Sequence, residues 1–338
     1  MFWDHVLTRA LQVKTRSPAV SVLPRLNGDS NETGFIPLLR SGARVDIGSR
    51  SSMEDVYVCA DNLVRDYGLI DSTESPSAFY GVFDGHGEKN AADFARYNMP
   101  IFIVEDEDFP QNIERIISSA FLHTDTAFAE ACSSDADLDS GTNALAAVVI
   151  GRSLVVANAG DCRAVLCRGK AVEILRDHKP ICLVERKRNE ASGGHIYDGY
   201  LNGQLNVARA LGDWHMEGLK GRDGGPLGVE PELMKISLTE DDEFLIISCD
   251  GLWDVFMSQN AVDFARKRLQ EHNDPIMCSK DLVDEALKRK SSYNLAVVMV
   301  CFHQPPPPNL VVPRGRVHLH ISAEGLKEYQ SFFGSLQI

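Results

Sequence analysis

The sequence predicts an α+β protein built on antiparallel sheets, because its strand patterns outnumber its helix patterns and follow one another directly. Several of the strand-like apolar runs are apolar enough to be buried on both faces. Short glycine-containing turns at 151–152 and 160–161 join three runs into a predicted antiparallel meander. This succession does not fit a doubly wound fold, in which strands and helices alternate. The predicted strands span residues 56–60, 78–83, 144–150, 153–159, 163–167, 244–249 and 296–302.

Apolar residues recur at helical spacing in four further segments, which are residues 88–99, 111–131, 259–271 and 280–290. Ser258 and Ser279 precede the last two and are the predicted N-caps. An apolar fraction of 44% and a charged fraction of 24% are ordinary for a globular chain of 338 residues. A chain of this length buries a sizeable core.

Three regions are predicted along the chain. Residues 1–40 lack sustained periodicity and are expected to form a flexible N-terminal tail. One ordered domain is expected over residues 41–303. Four prolines at 305–308 then form a stiff breaker, so that residues 304–338 are expected to be a proline-rich linker and a C-terminal tail.

The net charge of −14 disfavours binding to nucleic acids, whose phosphates an acidic surface repels. The basic run at 185–188 is accordingly predicted to be a solvated helix face, with nucleic-acid binding as a weak alternative. No apolar run approaches the roughly 20 residues of a membrane helix, and the N-terminus lacks a secretory signal pattern. The eight cysteines form no CxxC pair, which indicates reduced thiols. We expect a cytoplasmic or nuclear monomer.

Acidic residues recur at the ends of predicted strands. Asp84, Asp161 and Asp250 follow three buried runs, and Glu54 and Asp55 precede the run at 56–60. A single such aspartate is usually only a turn residue. Several carboxylates converging on one point would repel each other unless a cation lay between them. Because oxygen ligands suit Mg²⁺ or Mn²⁺, the recurrence favours a carboxylate-based metal hydrolase.

These residues belong to an ordered set of motifs: 48–55 (GSRSSMED), 79–87 (FYGVFDGHG), 140–142 (SGT), 157–163 (ANAGDCR), 177–180 (DHKP), 206–213 (NVARALGD) and 249–255 (CDGLWDV). The set resembles the metal-dependent type 2C (PPM-type) serine/threonine protein phosphatases, specifically the plant branch. The resemblance implies two packed antiparallel sheets flanked by helices, with residues 41–303 as the catalytic domain. It also implies phosphorylated proteins as substrates.

The resemblance further implies two Mn²⁺ or Mg²⁺ ions and a set of ligands for them. Asp84 would bridge both ions. The carbonyl of Gly85 and, partly through water, Glu54 would serve one ion, and Asp250 would serve the other. Asp161 would help to hold a weaker third ion.

Two further residues take chemical roles by the same resemblance. Arg50 would grip the phosphate with its planar guanidinium. His86 would protonate the leaving serine or threonine oxygen, a task that suits a group titrating near neutrality. The remaining motif residues are implied to be supports: Asp55 and Asp254 beside the ligands, and Arg209 and Asp213 in the surrounding structure.

The sequence departs from the family pattern at three positions. Tyr293 stands where the family carries an aspartate that ligates the same ion as Asp250. A phenol is neutral at pH 7 and binds hard cations poorly. Asn143 replaces a threonine, and Glu88 replaces a glycine at the start of a predicted helix. Two functions remain open: a phosphatase with one weakened metal position, and a pseudophosphatase that binds phosphorylated partners through Arg50 without turnover.

Overall fold

The computed structural model describes residues 35–67, 76–221 and 225–309. The chain divides after Pro307, and the second unit, Pro308–Ile338, contains only two described residues. Most of the predicted N-terminal and C-terminal tails therefore lies outside the described residues. The domain boundaries at 40/41 and 303/304 stay predictions.

Two antiparallel sheets form the centre of the described structure. In the smaller sheet the strand order is β1 (Arg40–Asp46), β13 (Leu295–Cys301), β12 (Phe244–Ser248), β6 (Arg163–Arg168) and β7 (Lys170–Glu173). In the larger sheet it is β11 (Glu232–Ser237), β5 (Ser153–Ala159), β4 (Gly141–Ile150), β3 (Ser77–His86) and β2 (Val56–Ala60), with β10 (Leu211–Gly212) beside β4. A separate short hairpin pairs β8 (Ile196–Tyr197) with β9 (Tyr200–Leu201).

Helices cover the outer face of each sheet. The helices α2 (Asn90–Val104) and α3 (Ile113–Ser134) share an apolar cluster with the larger sheet. The helices α6 (Ser258–His272) and α7 (Pro275–Lys288) do the same on the smaller sheet. The other described helices are α1 (Leu63–Asp66), α4 (Leu183–Ala191) and α5 (Asp250–Trp253). The predicted α+β sandwich of two antiparallel sheets flanked by helices is confirmed.

Side chains alternate between two cores along each central strand. On β3, Tyr80 and Val82 face the second sheet, whereas Phe79 and Phe83 face the helices. Every residue of β4 is buried because both of its faces are covered. This burial explains why the apolar runs in the sequence are nearly continuous.

Three local predictions differ from the structure. Ser279 is not an N-cap: α7 begins at Pro275, and the Asp274 carboxylate caps it by accepting from the backbone N–H of Ile276 at 2.8 Å. Proline suits this first helical position. Ser258 is not an N-cap either: α6 begins at Ser258, one residue earlier than predicted, and Met257 occupies the N-cap position. The run at 185–188 is helical, but it is not wholly solvated, because Glu185 is buried.

All eight cysteine thiols are free, as the sequence indicated. Within the described ranges no helix is both long and apolar enough to cross a membrane.

Candidate active site

Four aspartates meet where strands of the two sheets begin or end. Asp84 lies near the end of β3, Asp161 follows β5, Asp250 follows β12 and Asp55 precedes β2. Burial raises the pKa of Asp84 well above its ordinary value, and the negative charges of Asp55, Asp250 and Asp161 raise it further. The structure therefore brings together the carboxylates that the sequence singled out at strand ends.

The same crowding perturbs two neighbours of Asp84. Burial, with the charges of Asp161 and Asp254, raises the pKa of Asp250 to about 7. Burial raises the pKa of Asp55 to about 6. One carboxylate oxygen of Asp55 is buried without a hydrogen-bond partner. The cluster thus concentrates negative charge that its own hydrogen bonds do not neutralise, and a divalent cation fits such a set of oxygens.

The geometry limits how many side chains one ion could take. No group of three or more His, Cys, Asp or Glu side chains in the described ranges is arranged to hold a metal ion. An ion here would complete its shell with backbone oxygens and water, as Mg²⁺ commonly does. Gly85 permits a close backbone approach, since a Cβ at this position would lie 2.5 Å from the carbonyl oxygen of Glu54.

Both carboxylate oxygens of Asp161 are already engaged. Asn143 donates from Nδ2 to one oxygen at 2.7 Å, and the ammonium of Lys179 contacts the other. Asn143, the replacement for the family threonine, also lies 3.5 Å from Oδ2 of Asp84. The Lys179 ammonium therefore places a positive charge inside the acidic cluster.

The neighbouring His178 holds the turn that carries Asp161. Its buried ring accepts the N–H of Gly160 at Nδ1, 3.2 Å away, and Nε2 lies 3.1 Å from a carboxylate oxygen of Glu232. An imidazole that accepts at Nδ1 and donates at Nε2 is neutral. Burial lowers the pKa of His178, which agrees with this neutral form.

His86 ends β3 and pairs with Asp213, its Nε2 lying 2.9 Å from each carboxylate oxygen. Burial alone would lower the pKa of His86, but the Asp213 carboxylate outweighs burial and raises it. A histidine with a raised pKa carries a proton near neutrality and can donate it.

Asp213 reaches His86 from an unusual backbone conformation. Its φ is 58°, in the left-handed region that non-glycine residues rarely adopt. Its N–H donates to the carbonyl of Ser140 at 2.8 Å. One residue earlier, the N–H of Gly212 donates to the buried carboxylate of Asp125 at 2.7 Å, and Lys220 pairs with the same oxygen. These bonds hold the strained residue in place.

Arg50 lies in the loop between β1 and β2, where its side chain is exposed. Its guanidinium carbon is 4.6 Å from the centre of the Tyr293 ring. The next residue, Asn294, accepts the N–H of Glu54 at 2.8 Å. Among the described residues, no hydrogen bond joins the Arg50 side chain to the acidic cluster. Arg50 is connected to the cluster through the loop between β1 and β2, which also carries Glu54.

Residues 43–295 match the family model described as protein phosphatase 2C. The chain belongs to the protein phosphatase 2C family. It is 65% identical over 329 residues to the probable protein phosphatase 2C 22 of Arabidopsis thaliana, covering 96% of this chain and 84% of the relative. It is 64% identical over 326 residues to the probable protein phosphatase 2C 57 of Oryza sativa subsp. japonica, covering 95% of this chain and 89% of the relative.

Solved structures share the type 2C fold at lower identity. The serine-threonine phosphatase 2C of Toxoplasma gondii aligns with a TM-score of 0.67 at 20% identity, over 79% of this chain and 97% of that one. A C. elegans sex determining protein aligns with a TM-score of 0.70 at 23% identity, over 79% of this chain and 65% of that one. The predicted family, plant branch included, is confirmed: this is a domain of the metal-dependent protein serine/threonine phosphatases.

Two residues of this type 2C domain take positions that sequence reasoning missed. Lys179 lies within the motif at 177–180, but nothing in the sequence signals that its charge reaches Asp161. Asp213 was expected to be structural only, and the structure puts it in contact with His86. Arg209, also expected to be structural, pairs with Glu185.

Proposed function

We propose that this phosphatase hydrolyses phosphoserine and phosphothreonine in proteins at a binuclear Mn²⁺ or Mg²⁺ site. Asp84 would contact both ions. Gly85 through its carbonyl and Glu54 partly through water would serve one ion, and Asp250 would serve the other. When bound, the ions would supply an activated water and neutralise charge on the phosphoryl group.

One observation carries this proposal. The pKa of Asp84 is raised well above its ordinary value because the side chain is buried beside three other carboxylates. A protein tolerates such repulsion where a function requires it, and a divalent cation relieves it. Asp55 and Asp254 would support the ligands through their charges, since Asp55 raises the pKa of Asp84 and Asp254 raises that of Asp250.

The contacts of Asp161 favour two ions over three. A third ion bound by Asp161 would have to displace Lys179 or Asn143, which occupy its two oxygens. The Lys179 ammonium already offsets the Asp161 charge at that position. We therefore propose that Asp161 orients the Asn143 and Lys179 side chains and balances the Lys179 charge, rather than binding an ion.

Arg50 and His86 would act on the substrate itself. In the described structure the Arg50 guanidinium makes no hydrogen bond or salt bridge, so its planar set of donors is free for a phosphate. His86 would give its proton to the leaving serine or threonine oxygen, because the Asp213 carboxylate raises its pKa.

Tyr293 supports a second candidate function, a pseudophosphatase that binds phosphorylated partners without turnover. Its ring contacts the Arg50 guanidinium, and its neutral phenol stands in place of the carboxylate that would serve an ion together with Asp250. Loss of one anionic ligand weakens binding of a hard cation. Phosphate binding through Arg50 would survive this loss.

Phosphopeptide hydrolysis during a Mn²⁺ titration tests both candidates. We expect metal-dependent turnover by the natural chain and a half-saturating Mn²⁺ concentration at least about tenfold lower in Tyr293→Asp, since even outer partners of a metal site change affinity by that much. Tyr97→Asp is the matched control, because it places the same change at an exposed tyrosine of α2. Asp84→Asn should abolish turnover.

The outcomes separate the candidates. Turnover that appears only in Tyr293→Asp identifies the natural chain as a pseudophosphatase. Folded natural and Tyr293→Asp proteins that both lack turnover at any Mn²⁺ or Mg²⁺ concentration would show that the ligand assignment is wrong.

A further inference from the structure

The Tyr293 ring and the Arg50 guanidinium form a contact that the family metal site does not account for. We propose that Tyr293 is a positioning residue, whose ring holds Arg50 in place to receive a phosphoryl group. This inference rests on the function proposed above. Tyr293, which replaces a metal-ligating aspartate of the family, would thereby support the phosphate-binding guanidinium of Arg50.

Hydrogen bonds tie the Arg50 loop to the residue next to Tyr293. Asn294 donates from Nδ2 to the carbonyls of Ile47 and Ser52, at 3.0 Å each, and accepts the N–H of Glu54 at 2.8 Å. Asn294 is also buried. Both ends of the segment that carries Arg50 are thus fixed against the start of β13.

The backbone of Tyr293 itself touches this loop. A Cβ at Gly48 would lie 2.1 Å from the carbonyl oxygen of Tyr293, and the φ of Gly48 is 61°. Only glycine accommodates both the close approach and the left-handed backbone without strain. The loop therefore lies directly on Tyr293, so the ring contact with Arg50 follows from packed backbone and not from two freely moving side chains.

The chemistry of the contact differs from that of an ion pair. A guanidinium over an aromatic face is attracted by the ring quadrupole while its in-plane N–H donors stay available. An aspartate at position 293 would instead offer acceptor oxygens that compete with the phosphoryl group for those donors. The 4.6 Å separation of the Arg50 guanidinium carbon and the Tyr293 ring centre is within the range of this attraction.

The expected consequence is a change in phosphate affinity more than in turnover. We would measure binding of a fluorescent peptide that carries a non-hydrolysable phosphonate in place of the phosphothreonine phosphate, because the natural chain is expected to hydrolyse the phosphorylated peptide in Mn²⁺. Anisotropy in Mn²⁺ would compare the full natural chain with Tyr293→Leu and Tyr293→Phe. Loss of the ring in Tyr293→Leu should weaken binding about two- to fivefold. Tyr293→Phe restores the ring without the hydroxyl and should recover the affinity lost in Tyr293→Leu.

Two further comparisons separate positioning from general damage. In an Arg50→Ala background, Tyr293→Leu should have no additional effect on peptide affinity, because its partner is gone. The matched control is Tyr97→Leu, because the Tyr97 ring also makes a cation–π contact. The Arg96 guanidinium carbon lies 5.3 Å from the centre of that ring. That variant should bind the peptide like the natural chain.

A metal-independent measurement tests the contact itself. In selectively ¹⁵N-arginine-labelled protein, the Nε–H proton of Arg50, assigned by Arg50→Lys, should be shifted by the ring current of Tyr293. The shift should be lost in Tyr293→Leu and kept in Tyr293→Phe. An unchanged Arg50 signal in Tyr293→Leu, equal affinity losses in the Leu and Phe variants, or a loss that persists without Arg50 would each overturn the inference. A natural chain that neither binds the phosphonate peptide nor hydrolyses the matching phosphothreonine peptide would overturn the proposed function, even where the ring-current shift is present.

Discussion

The Nε2 atom of His86 lies 2.9 Å from both carboxylate oxygens of Asp213. The two residues come from distant parts of the chain, His86 from the end of β3 and Asp213 from the turn after β10. Asp213 keeps its carboxylate on the ring by adopting a left-handed backbone conformation. The protonation and orientation of His86 therefore depend on a strained residue that belongs to another segment.

Asp213→Asn should impair proton donation by His86. The amide keeps the shape of the side chain but removes the charge that raises the pKa of His86. We expect kcat for a phosphothreonine peptide to fall by about ten- to a hundredfold, a part of the usual contribution of general acid catalysis. An aryl phosphate, whose phenolate leaves without protonation, should lose much less. Steady-state kinetics on both substrates measure the difference.

Asp198→Asn is a suitable control for the backbone strain. Asp198 also has a positive φ, 50°, in the turn between β8 and β9. The control should hydrolyse both substrates like the natural chain. Equal losses on the peptide and the aryl phosphate in Asp213→Asn would show that Asp213 does not act through the proton of His86.

Asp84→Asn should stabilise the metal-free protein while removing its response to Mn²⁺. Burial and three neighbouring carboxylates raise the pKa of Asp84. Without a cation, the folded protein must therefore either bear the repulsion between these charges or take up a proton, and both destabilise it. We expect the free energy of unfolding in EDTA at pH 7.5 to rise by about 1–2 kcal/mol. Mn²⁺ should raise the melting temperature of the natural chain but not that of the variant.

Asp242→Asn provides the contrast, since Asp242 is fully buried but its carboxylate oxygens have hydrogen-bond partners. Its carboxylate pairs with Arg168 at 2.8 Å and accepts the N–H of Thr239 at 2.8 Å. Its replacement should destabilise the protein with or without Mn²⁺. An Asp84→Asn protein that is less stable than the natural chain in EDTA would contradict the inference that charge repulsion at Asp84 destabilises the metal-free protein.

The central strands could be predicted from sequence because their physical cause is local. The run at 144–150 is wholly apolar since helices and the second sheet cover both faces of β4. Strand β1, Arg40–Asp46, was missed because it is a half-buried edge strand of mixed composition. Ser279 was predicted as a cap from its residue type alone, whereas Asp274 followed by Pro275 is the stronger start signal.

The candidate site divides in the same way. Asp84, Asp161 and Asp250 were found because strand ends meet at one edge of a sandwich. Lys179 and Asp213 lie in connecting segments. Such segments have no regular hydrophobic periodicity, so the sequence does not predict which part of the protein they contact. Their contacts with Asp161 and His86 became visible only with the three-dimensional structure.

Lys179→Met should open the position beside Asp161 to metal. The Lys179 ammonium contacts one oxygen of Asp161, and its positive charge lowers the pKa of Asp250. Without that charge, the cluster should bind Mn²⁺ more tightly, and Asp161 should be free to hold an additional ion. Calorimetric titration of Mn²⁺ measures both the affinity and the number of ions.

Lys280→Met is the control for the loss of a lysine, because Lys280 pairs with Asp284 on the surface of α7. It should leave Mn²⁺ binding unchanged. A Lys179→Met protein with unchanged or weaker Mn²⁺ binding would refute the view that Lys179 competes with metal at Asp161.

Glu185→Gln should destabilise the fold in a pH-dependent manner. Glu185 accepts from Arg209 at 2.7 Å and from Arg188 at 3.0 Å. Although burial opposes ionisation, the two arginines lower the pKa of Glu185 from 4.5 to about 2. A carboxyl whose pKa is lower in the folded state stabilises the protein above its unfolded value of 4.5, and this contribution is lost as pH falls towards 2.

The stability difference between the natural chain and Glu185→Gln should therefore be largest at neutral pH. We expect about 2–3 kcal/mol at pH 7, measured by urea unfolding, and less than half of that near pH 3. Glu190→Gln removes an exposed i,i+4 partner of Arg186 on the same helix and should cost no more than about 0.5 kcal/mol. Arg188 and Arg209 are both partly buried, and each also donates to backbone carbonyls of the segment 208–230. Loss of the Glu185 charge therefore leaves two partly buried cations with only neutral acceptors. A stability difference that stays constant from pH 7 to pH 3 would mean that Glu185 acts through packing and not through its charge.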